Sequence, residues 1–207
     1  LWAIGCQSGR GLPVPGWEPT PNCVSGVAFL KAFNEGRMHV TASKVVCVGG
    51  GDTSIDVVSV ARRLGHIQST NPSERPELVV HENYVMHDTA VTAAREGAEV
   101  TLTSLFTKED MTAAEHEVMD ALTEGVTILD GVMPTEVIKG ADGRATGLKV
   151  VPCTVENGRP VPVEGGEETV IEADLVVSAI GQGGDMTGLE EFDNGRGLMD
   201  ADKFYQV

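Results

Sequence analysis

The sequence is poor in aromatic residues and in basic charge. Of its 207 residues 4% are aromatic, and 15 lysines and arginines face 31 aspartates and glutamates, for a formal net charge of -16 at pH 7. Proteins that bind nucleic acid through its phosphates present a dense basic surface, and this chain has no such run of lysine and arginine. The composition therefore argues against a nucleic-acid partner, and the acidity also disfavours an anionic membrane surface.

Paired cysteines and long apolar runs are missing as well. The four cysteines lie far apart and form no C-x-x-C pair, which argues against a redox dithiol and gives no zinc or iron–sulfur spacing. We interpret Cys47, inside an apolar run, as a small buried hydrophobic residue. No stretch has the length of a membrane span, and no charged-then-apolar leader opens the sequence. These features predict a cytoplasmic protein with reduced thiols and no membrane partner.

Three consecutive glycines, Gly49, Gly50 and Gly51, stand between two contrasting patterns. The β-branched run over residues 44–48 is typical of a buried parallel strand, and from residue 52 the apolar spacing becomes that of a helix. A strand, a glycine turn and a helix start form the geometry in which backbone N–H groups and the helix dipole meet a phosphate. The pattern predicts a dinucleotide site, with a glycine turn that binds no ligand as the alternative.

The residues of this motif have separate expected roles. Gly49 allows the tight turn, and Gly51 allows the close approach of a pyrophosphate. Ser54 is small enough for the helix to pack against the strand. Asp52 and Thr53 begin the helix beside the phosphate, and for Asp52 a capping role is favoured over catalysis.

The rest of the pattern predicts an α/β fold, a Rossmann-like parallel sheet with helices and an antiparallel β-meander crossover. Strands are predicted at 99–106, 126–129, 136–139, 147–154, 168–173 and 175–180, and helices at 24–33, 87–96 and 112–124. We interpret the proline- and glycine-rich residues 11–24 as a connector without regular structure, and Ser25 as a possible helix cap.

Four segments together resemble one protein family. Residues 45–56, Val-Val-Cys-Val-Gly-Gly-Gly-Asp-Thr-Ser-Ile-Asp, are similar to the nicotinamide-nucleotide motif of glutamate synthase small-subunit-like oxidoreductases. Residues 1–7, followed by residues 12–16, resemble that family's entry from its flavin domain. Residues 109–113 resemble its E-E-M-P-A stretch, and residues 173–182 its exit strand. The four pieces occur in the family's order over nearly the whole chain.

The resemblance implies two nested dinucleotide-binding domains, with the NAD(P)H domain inserted into the FAD domain. Residues 1–43 are then an entry segment with a connector, 44–181 the NAD(P)H domain, and 182–207 the exit segment. FAD is expected in the full-length protein but not in this chain, so the isolated chain is expected to be inactive. The expected partners are the nicotinamide dinucleotide, the FAD domain of the same polypeptide, and an electron-accepting or large subunit.

The resemblance implies cofactor contacts at three places. The sequence itself offers no candidate acid–base pair, nucleophile triad or metal centre, so we name no catalytic side chain. Besides the glycine turn, the expected cofactor-binding residues are Ser104, Phe106, Thr107 and Lys108 after the second strand, and Ile180, Gly181 and Gln182 after the last.

The chain departs from the family after its second strand. The family usually has two arginines there that bind the 2′-phosphate of NADP, and the alignment places Leu105 and Phe106 at those positions. Lys108 is the only nearby cation, so NADH is favoured over NADPH, unless Arg75 reaches the phosphate instead. Phe106 either stacks on adenine or simply ends an apolar strand.

The region 66–87 is a second departure, because the family passes quickly from its first helix to its second strand. It carries His66, His81 and His87, but their spacing matches no metal-ligand pattern, and a solvated loop or partner-docking surface is favoured. The lost arginines leave open an alternative function, a non-catalytic nucleotide-sensing or subunit-docking module.

Overall fold

The structure is a computed structural model of the chain, and it describes residues 5–20, 22–35, 42–64, 98–195 and 198–200. The helices in these ranges are α1 (Gly26–Asn34), α2 (Asp52–Leu64) and α3 (Glu115–Thr123), with short helical turns at Lys108–Asp110 and Glu190–Phe192. The strands are β1 (Ser8–Gly9), β2 (Cys23–Ser25), β3 (Lys44–Val48), β4 (Glu99–Thr103), β5 (Thr127–Leu129), β6 (Val132–Lys139), β7 (Ala145–Glu156), β8 (Arg159–Pro162), β9 (Thr169–Glu172), β10 (Leu175–Ser178) and β11 (Gln182–Gly183).

The central sheet has five strands in the order β2-β10-β3-β4-β5, and all its neighbouring strands are parallel. A second, antiparallel sheet is built on β7, which pairs with β6, β8 and β9. β1 and β11 form a separate antiparallel pair. The predicted α/β fold, a Rossmann-like parallel sheet with an antiparallel meander, is confirmed.

The alternation of side chains along β3 divides the interior into two cores. Val45 and Cys47 belong to the core under the helices, whereas Val46 and Val48 belong to the core under the meander with Leu148. Because both faces of the central sheet are covered, β3 reads as a continuous apolar run rather than an alternating one. Burial raises the pKa of the Cys47 thiol, so it stays neutral, as expected of a buried hydrophobic residue.

The connector prediction is wrong at its end, because Cys23 and Val24 belong to β2, which pairs with β10 at the edge of the sheet. The helix predicted from residue 24 accordingly begins two residues later. Ser25 is its N-cap, and its side chain accepts a hydrogen bond of 3.2 Å from the backbone N–H of Ala28, which confirms the capping prediction.

The third predicted helix also begins late. Its first helical residue is Glu115, because Ala114 has extended backbone angles and the preceding residues form a short turn instead. In the meander, Asn157 and Gly158 both have positive φ and form the tight hairpin between β7 and β8, as is typical of an Asn-Gly pair. The predicted helix at 87–96 and excursion at 66–87 lie outside the described residues. None of the helices in the described part of the chain combines the length and apolarity that a membrane crossing requires.

Arg62 of α2 connects three elements beneath the sheet. Its Nε donates to the carbonyl of Glu124 at 2.8 Å and its Nη1 to the carbonyl of Ala98 at 2.7 Å. Charge-assisted hydrogen bonds are worth roughly 1.5–3 kcal/mol each, so loss of both in Arg62→Met should lower the free energy of unfolding by about 3–6 kcal/mol. Urea denaturation measures this loss. The matched control is Arg144→Met on an exposed turn. Equal losses of unfolding free energy in the two variants would contradict a stabilising role for the hydrogen bonds of Arg62.

Candidate nucleotide-binding site

A cavity of about 400 Å³ lies at the carboxyl ends of β3, β4 and β10. In an open parallel sheet, ligands bind at this edge, where the order of the strands reverses. The residues that line it are Val48, Gly49, Gly50, Gly51, Asp52, Thr53, Thr103, Leu105, Phe106, Thr112, Val132, Ala179, Ile180 and Gly181. Eight of the predicted cofactor-binding residues are therefore brought together around one cavity.

Two of the three glycines are required for different reasons. A Cβ at Gly49 would lie 2.6 Å from the backbone oxygen of Ala179, so the close packing of β3 against β10 excludes any side chain there. A Cβ at Gly51 would have only the Thr112 hydroxyl nearby, at 3.2 Å. The protein itself thus leaves room at Gly51. The cradle formed there fits a ligand that approaches the backbone closely, as a pyrophosphate does.

Hydrogen bonds from the segment before α3 hold the glycine turn. The carbonyl of Gly50 accepts from the Ala113 N–H at 3.1 Å and from the Thr112 hydroxyl at 3.3 Å. The Asp52 carboxylate accepts from the Ala114 N–H at 3.3 Å. Asp52 is the first residue of α2 rather than its cap, so the capping prediction is wrong, and its side chain instead ties the two segments together.

Ser54 lies beneath the cavity and does not line it. Its side chain is fully buried, and its hydroxyl donates to the carbonyl of Gly51 at 2.5 Å. A Cβ added at Gly49 would lie 3.0 Å from the Cβ of Ser54, so the helix and the turn are packed closely at this point. The small-residue role predicted for Ser54 agrees with this packing.

The end of the cavity next to β4 is apolar. Leu105 and Phe106 line it together with Val132, and Phe106 is 38% exposed. Ser104, by contrast, is buried, and its hydroxyl accepts the N–H of Phe106 at 3.1 Å. Its hydroxyl therefore holds the turn and is not presented to the cavity.

The other two polar groups predicted at this end also have protein partners. The Thr107 hydroxyl donates to Asp110 at 3.0 Å, and the backbone N–H of Lys108 donates to Asp130 at 3.1 Å. Neither residue lines the cavity. The structure thus brings Leu105 and Phe106, rather than the polar residues around them, to this end of the site.

Ile180 and Gly181 line the opposite end, after β10. Gln182 follows in β11 and does not line the cavity, but its Nε2 donates to the hydroxyl of Thr53 at 3.3 Å. The exit strand is thereby attached to the first turn of α2. In the first turn of α2 the backbone N–H of Ser54 donates to the carbonyl of Gly51 at 2.8 Å. The N–H groups of Asp52 and Thr53 precede the first hydrogen bonds of the helix and are available to an anion.

Six lining residues were not predicted to bind the cofactor, and one of them, Leu105, was singled out only as the position of a lost arginine. Val48, Thr103 and Ala179 end or follow their strands, so the strand assignments alone could have indicated them. Thr112 and Val132 reach the cavity because the segments after β4 and β5 fold back over it, and no local pattern signals that. Among the lining residues, all of which lie in the described part of the chain, Asp52 is the one charged residue.

A second cavity, of about 330 Å³, is less suited to an anionic cofactor because Asp185, Glu190 and Asp193 line it. A hydrogen bond from Thr187 lowers the pKa of Asp185, which keeps that carboxylate charged. Within residues that the structure describes, no group of three or more histidine, cysteine, aspartate or glutamate side chains is arranged to hold a metal. His66, His81, His87 and Arg75 lie outside those residues, so their predicted roles stay predictions.

Curated proteins that resemble this chain are subunits of redox enzymes. The chain is 33% identical over 168 residues to the NADPH-Fe(3+) oxidoreductase subunit beta of Geobacter sulfurreducens, which covers 78% of this chain and 20% of that protein. It is 30% identical over 192 residues to the NADPH glutamate synthase small chain of Mycobacterium tuberculosis, covering 86% of this chain and 34% of the relative. The chain thus spans between a fifth and about a third of these relatives.

Solved structures show the same fold. FprA from Mycobacterium tuberculosis in complex with NADPH matches with a TM-score of 0.61 at 17% identity. The match covers 88% of this chain and 50% of the FprA chain. Thioredoxin reductase from T. acidophilum matches with a TM-score of 0.55 at 15% identity. The match covers 96% of this chain and 50% of the reductase chain. A family model described as pyridine nucleotide-disulphide oxidoreductase matches residues 1–207. The chain belongs to the pyridine nucleotide-disulphide oxidoreductase family, with relatives of the glutamate synthase small-subunit kind.

Proposed function

We propose that this chain is the NAD(P)H-binding part of a flavin-dependent oxidoreductase that resembles the glutamate synthase small subunit. The cradle at Gly51 carries the proposal, because a Cβ there would contact only the hydroxyl of Thr112, at 3.2 Å, and no backbone atom of another segment. A glycine turn that served the fold alone would not require this opening. The family, whose members are pyridine nucleotide oxidoreductases, supports the same assignment.

The residues that would hold the dinucleotide divide into three groups. The glycine turn, Asp52 and Thr53 would bind the pyrophosphate through backbone N–H groups of the turn and the first turn of α2. Leu105 and Phe106 would contact the adenosine, with stacking of Phe106 on adenine as one mode. Ile180 and Gly181 would lie beside the nicotinamide, and Gln182 would keep Thr53 in place through its hydrogen bond.

When bound, NAD(P)H supplies the hydride that reduces a flavin. We assign the flavin to a domain outside this chain, with residues 1–43 and 182–207 as the two connections and 44–181 as the nucleotide-binding domain. The small share of each relative that the chain covers supports this division. The work of this chain is then to bind and orient the nucleotide, and an electron-accepting subunit would complete the enzyme.

We further propose that NADH is the preferred nucleotide, although the names of both relatives above state NADPH. Leu105 and Phe106 cannot neutralise a 2′-phosphate, and no basic residue is among the described residues that line the cavity. NADH should therefore bind more tightly than NADPH. Replacing both residues by arginine should shift the preference toward NADPH by at least about tenfold, the equivalent of about 1.4 kcal/mol.

Fluorescence titration of the parent and the double variant with each reduced nucleotide tests this preference. A pair of lysine substitutions at exposed Val161 and Val163 on the meander adds the same charge far from the cavity and serves as the control. A strong preference of the parent chain for NADPH would contradict the proposal.

The second candidate function is a non-catalytic module that senses a nucleotide or docks to a subunit. The lack of a cation among the described residues that line the cavity favours it, since a weakened site can still bind without supporting turnover. Joining this chain to its flavin domain and following flavin bleaching by NADH separates the two candidates. Binding without bleaching would favour the module.

A further inference from the structure

Asp130 is held against the segment that forms the apolar end of the cavity. It directly follows β5, and its Oδ2 accepts the backbone N–H of Lys108 at 3.1 Å. Its Oδ1 lies 4.0 Å from the Nζ of the same lysine. One carboxylate therefore contacts both the backbone and the charged end of Lys108.

The backbone around Asp130 fixes this arrangement. The N–H of Ser104 donates to the carbonyl of Leu129 at 3.0 Å, and the N–H of Gly131 donates to the carbonyl of Phe106 at 3.4 Å. The chain turns at Gly131, whose φ is +62°, and continues into Val132, which lines the cavity. The two sequence neighbours of Asp130 are thus hydrogen-bonded to residues 104–106, the segment at the adenosine end of the proposed site.

Lys108 is the basic residue closest in sequence to the cavity-lining pair Leu105 and Phe106. Its side chain is 42% exposed and that of Asp130 is 33% exposed, so a ligand in solution can approach both. A lysine in this position can bind a phosphate as a point charge. Its pairing with Asp130 offsets that charge, and the neighbouring Glu109 and Asp110 add two further carboxylates to the same turn.

We propose that Asp130 is a specificity-determining residue that disfavours dinucleotides with a phosphate on the adenosine ribose, because it neutralises Lys108. This inference rests on the proposed function of the cavity. It adds a charged residue that follows β5 to the discrimination already assigned to Leu105 and Phe106 after β4. It also explains why Lys108 would not restore binding of NADPH.

The test is Asp130→Asn, which removes the charge but keeps a side-chain oxygen that can accept the Lys108 N–H. Kd values for NADH and NADPH are measured for each variant at low salt, where the electrostatic contribution is largest. The ratio of the Kd for NADPH to the Kd for NADH should fall by about tenfold or more. The Kd for NADH itself should change by less than about threefold. Glu109→Gln removes the same charge from an adjacent residue without releasing Lys108, and should change the ratio by less than about threefold.

The double variant Lys108→Ala, Asp130→Asn completes a double-mutant cycle. The gain in NADPH affinity expected of Asp130→Asn should be absent in this double variant. An unchanged ratio in Asp130→Asn, or a gain that survives Lys108→Ala, would overturn the role of Asp130 while leaving nucleotide binding intact. Failure of the parent chain to bind either nucleotide would instead overturn the proposed function, and this inference with it.

Discussion

Replacing Gly51 by valine should abolish binding of the nicotinamide dinucleotide while the domain stays folded. Gly51 does not have a positive φ, and a Cβ there meets only the hydroxyl of Thr112, at 3.2 Å, which can shift slightly. The added side chain would occupy the place of the pyrophosphate, so we expect Kd for NADH to rise by at least about a hundredfold. Titration with NADH measures the loss, and thermal unfolding reports whether the variant is folded.

Gly49→Ala is the matched comparison within the same turn. Its new Cβ would lie 2.6 Å from the backbone oxygen of Ala179. This variant should therefore be less stable than the parent chain, and any loss of NADH affinity should follow from that loss of stability. Two glycines only two positions apart are thus expected to have different effects, loss of stability at Gly49 and loss of binding at Gly51. Unchanged NADH binding by Gly51→Val would remove the dinucleotide interpretation of the turn.

Asn22→Leu should cause a large loss of stability. The Asn22 side chain is 3% exposed and joins the edge of the central sheet to the meander. Its Nδ2 donates to the carbonyl of Ala145 at 2.8 Å and to that of Asp174 at 3.0 Å, and its Oδ1 accepts the N–H of Ala145 at 3.2 Å. Leucine would leave these buried backbone groups without their partner. At roughly 1–3 kcal/mol for each unsatisfied group, we expect a loss of about 3–5 kcal/mol in urea denaturation.

Thr20→Val provides the control, because it removes only the hydrogen bond from the Thr20 hydroxyl to Asn22, at 3.2 Å. That bond is partly exposed, and its loss should lower stability by about 1 kcal/mol. A loss in Asn22→Leu no larger than this would show that the two sheets do not depend on the buried amide.

The parts of the fold that could be predicted from the sequence are those where several local signals agree. β3, the glycine turn and α2 each have their own pattern, and each supports the others. Ser25 as a cap and Asn157-Gly158 as a hairpin turn were also predictable, because both depend on interactions within a few residues.

The remaining features depend on contacts between distant segments. β2 has three residues in a proline-rich region, and only its pairing with β10, more than 150 positions later, makes it a strand. Asp52 bonds Ala114 rather than its own helix because the segment before α3 folds over the turn. The contact between Asp130 and Lys108 likewise joins two loops that have no pattern in common.

The most direct test of the central claim is a titration of the isotope-labelled chain with NADH, followed through the backbone amide resonances. We predict that the largest saturable shifts occur at Gly50, Gly51, Asp52 and Thr53, with smaller shifts at Phe106 and Gly181. Shifts concentrated at the second cavity around Asp185, or no saturable shift at all, would contradict a dinucleotide site at the glycine turn.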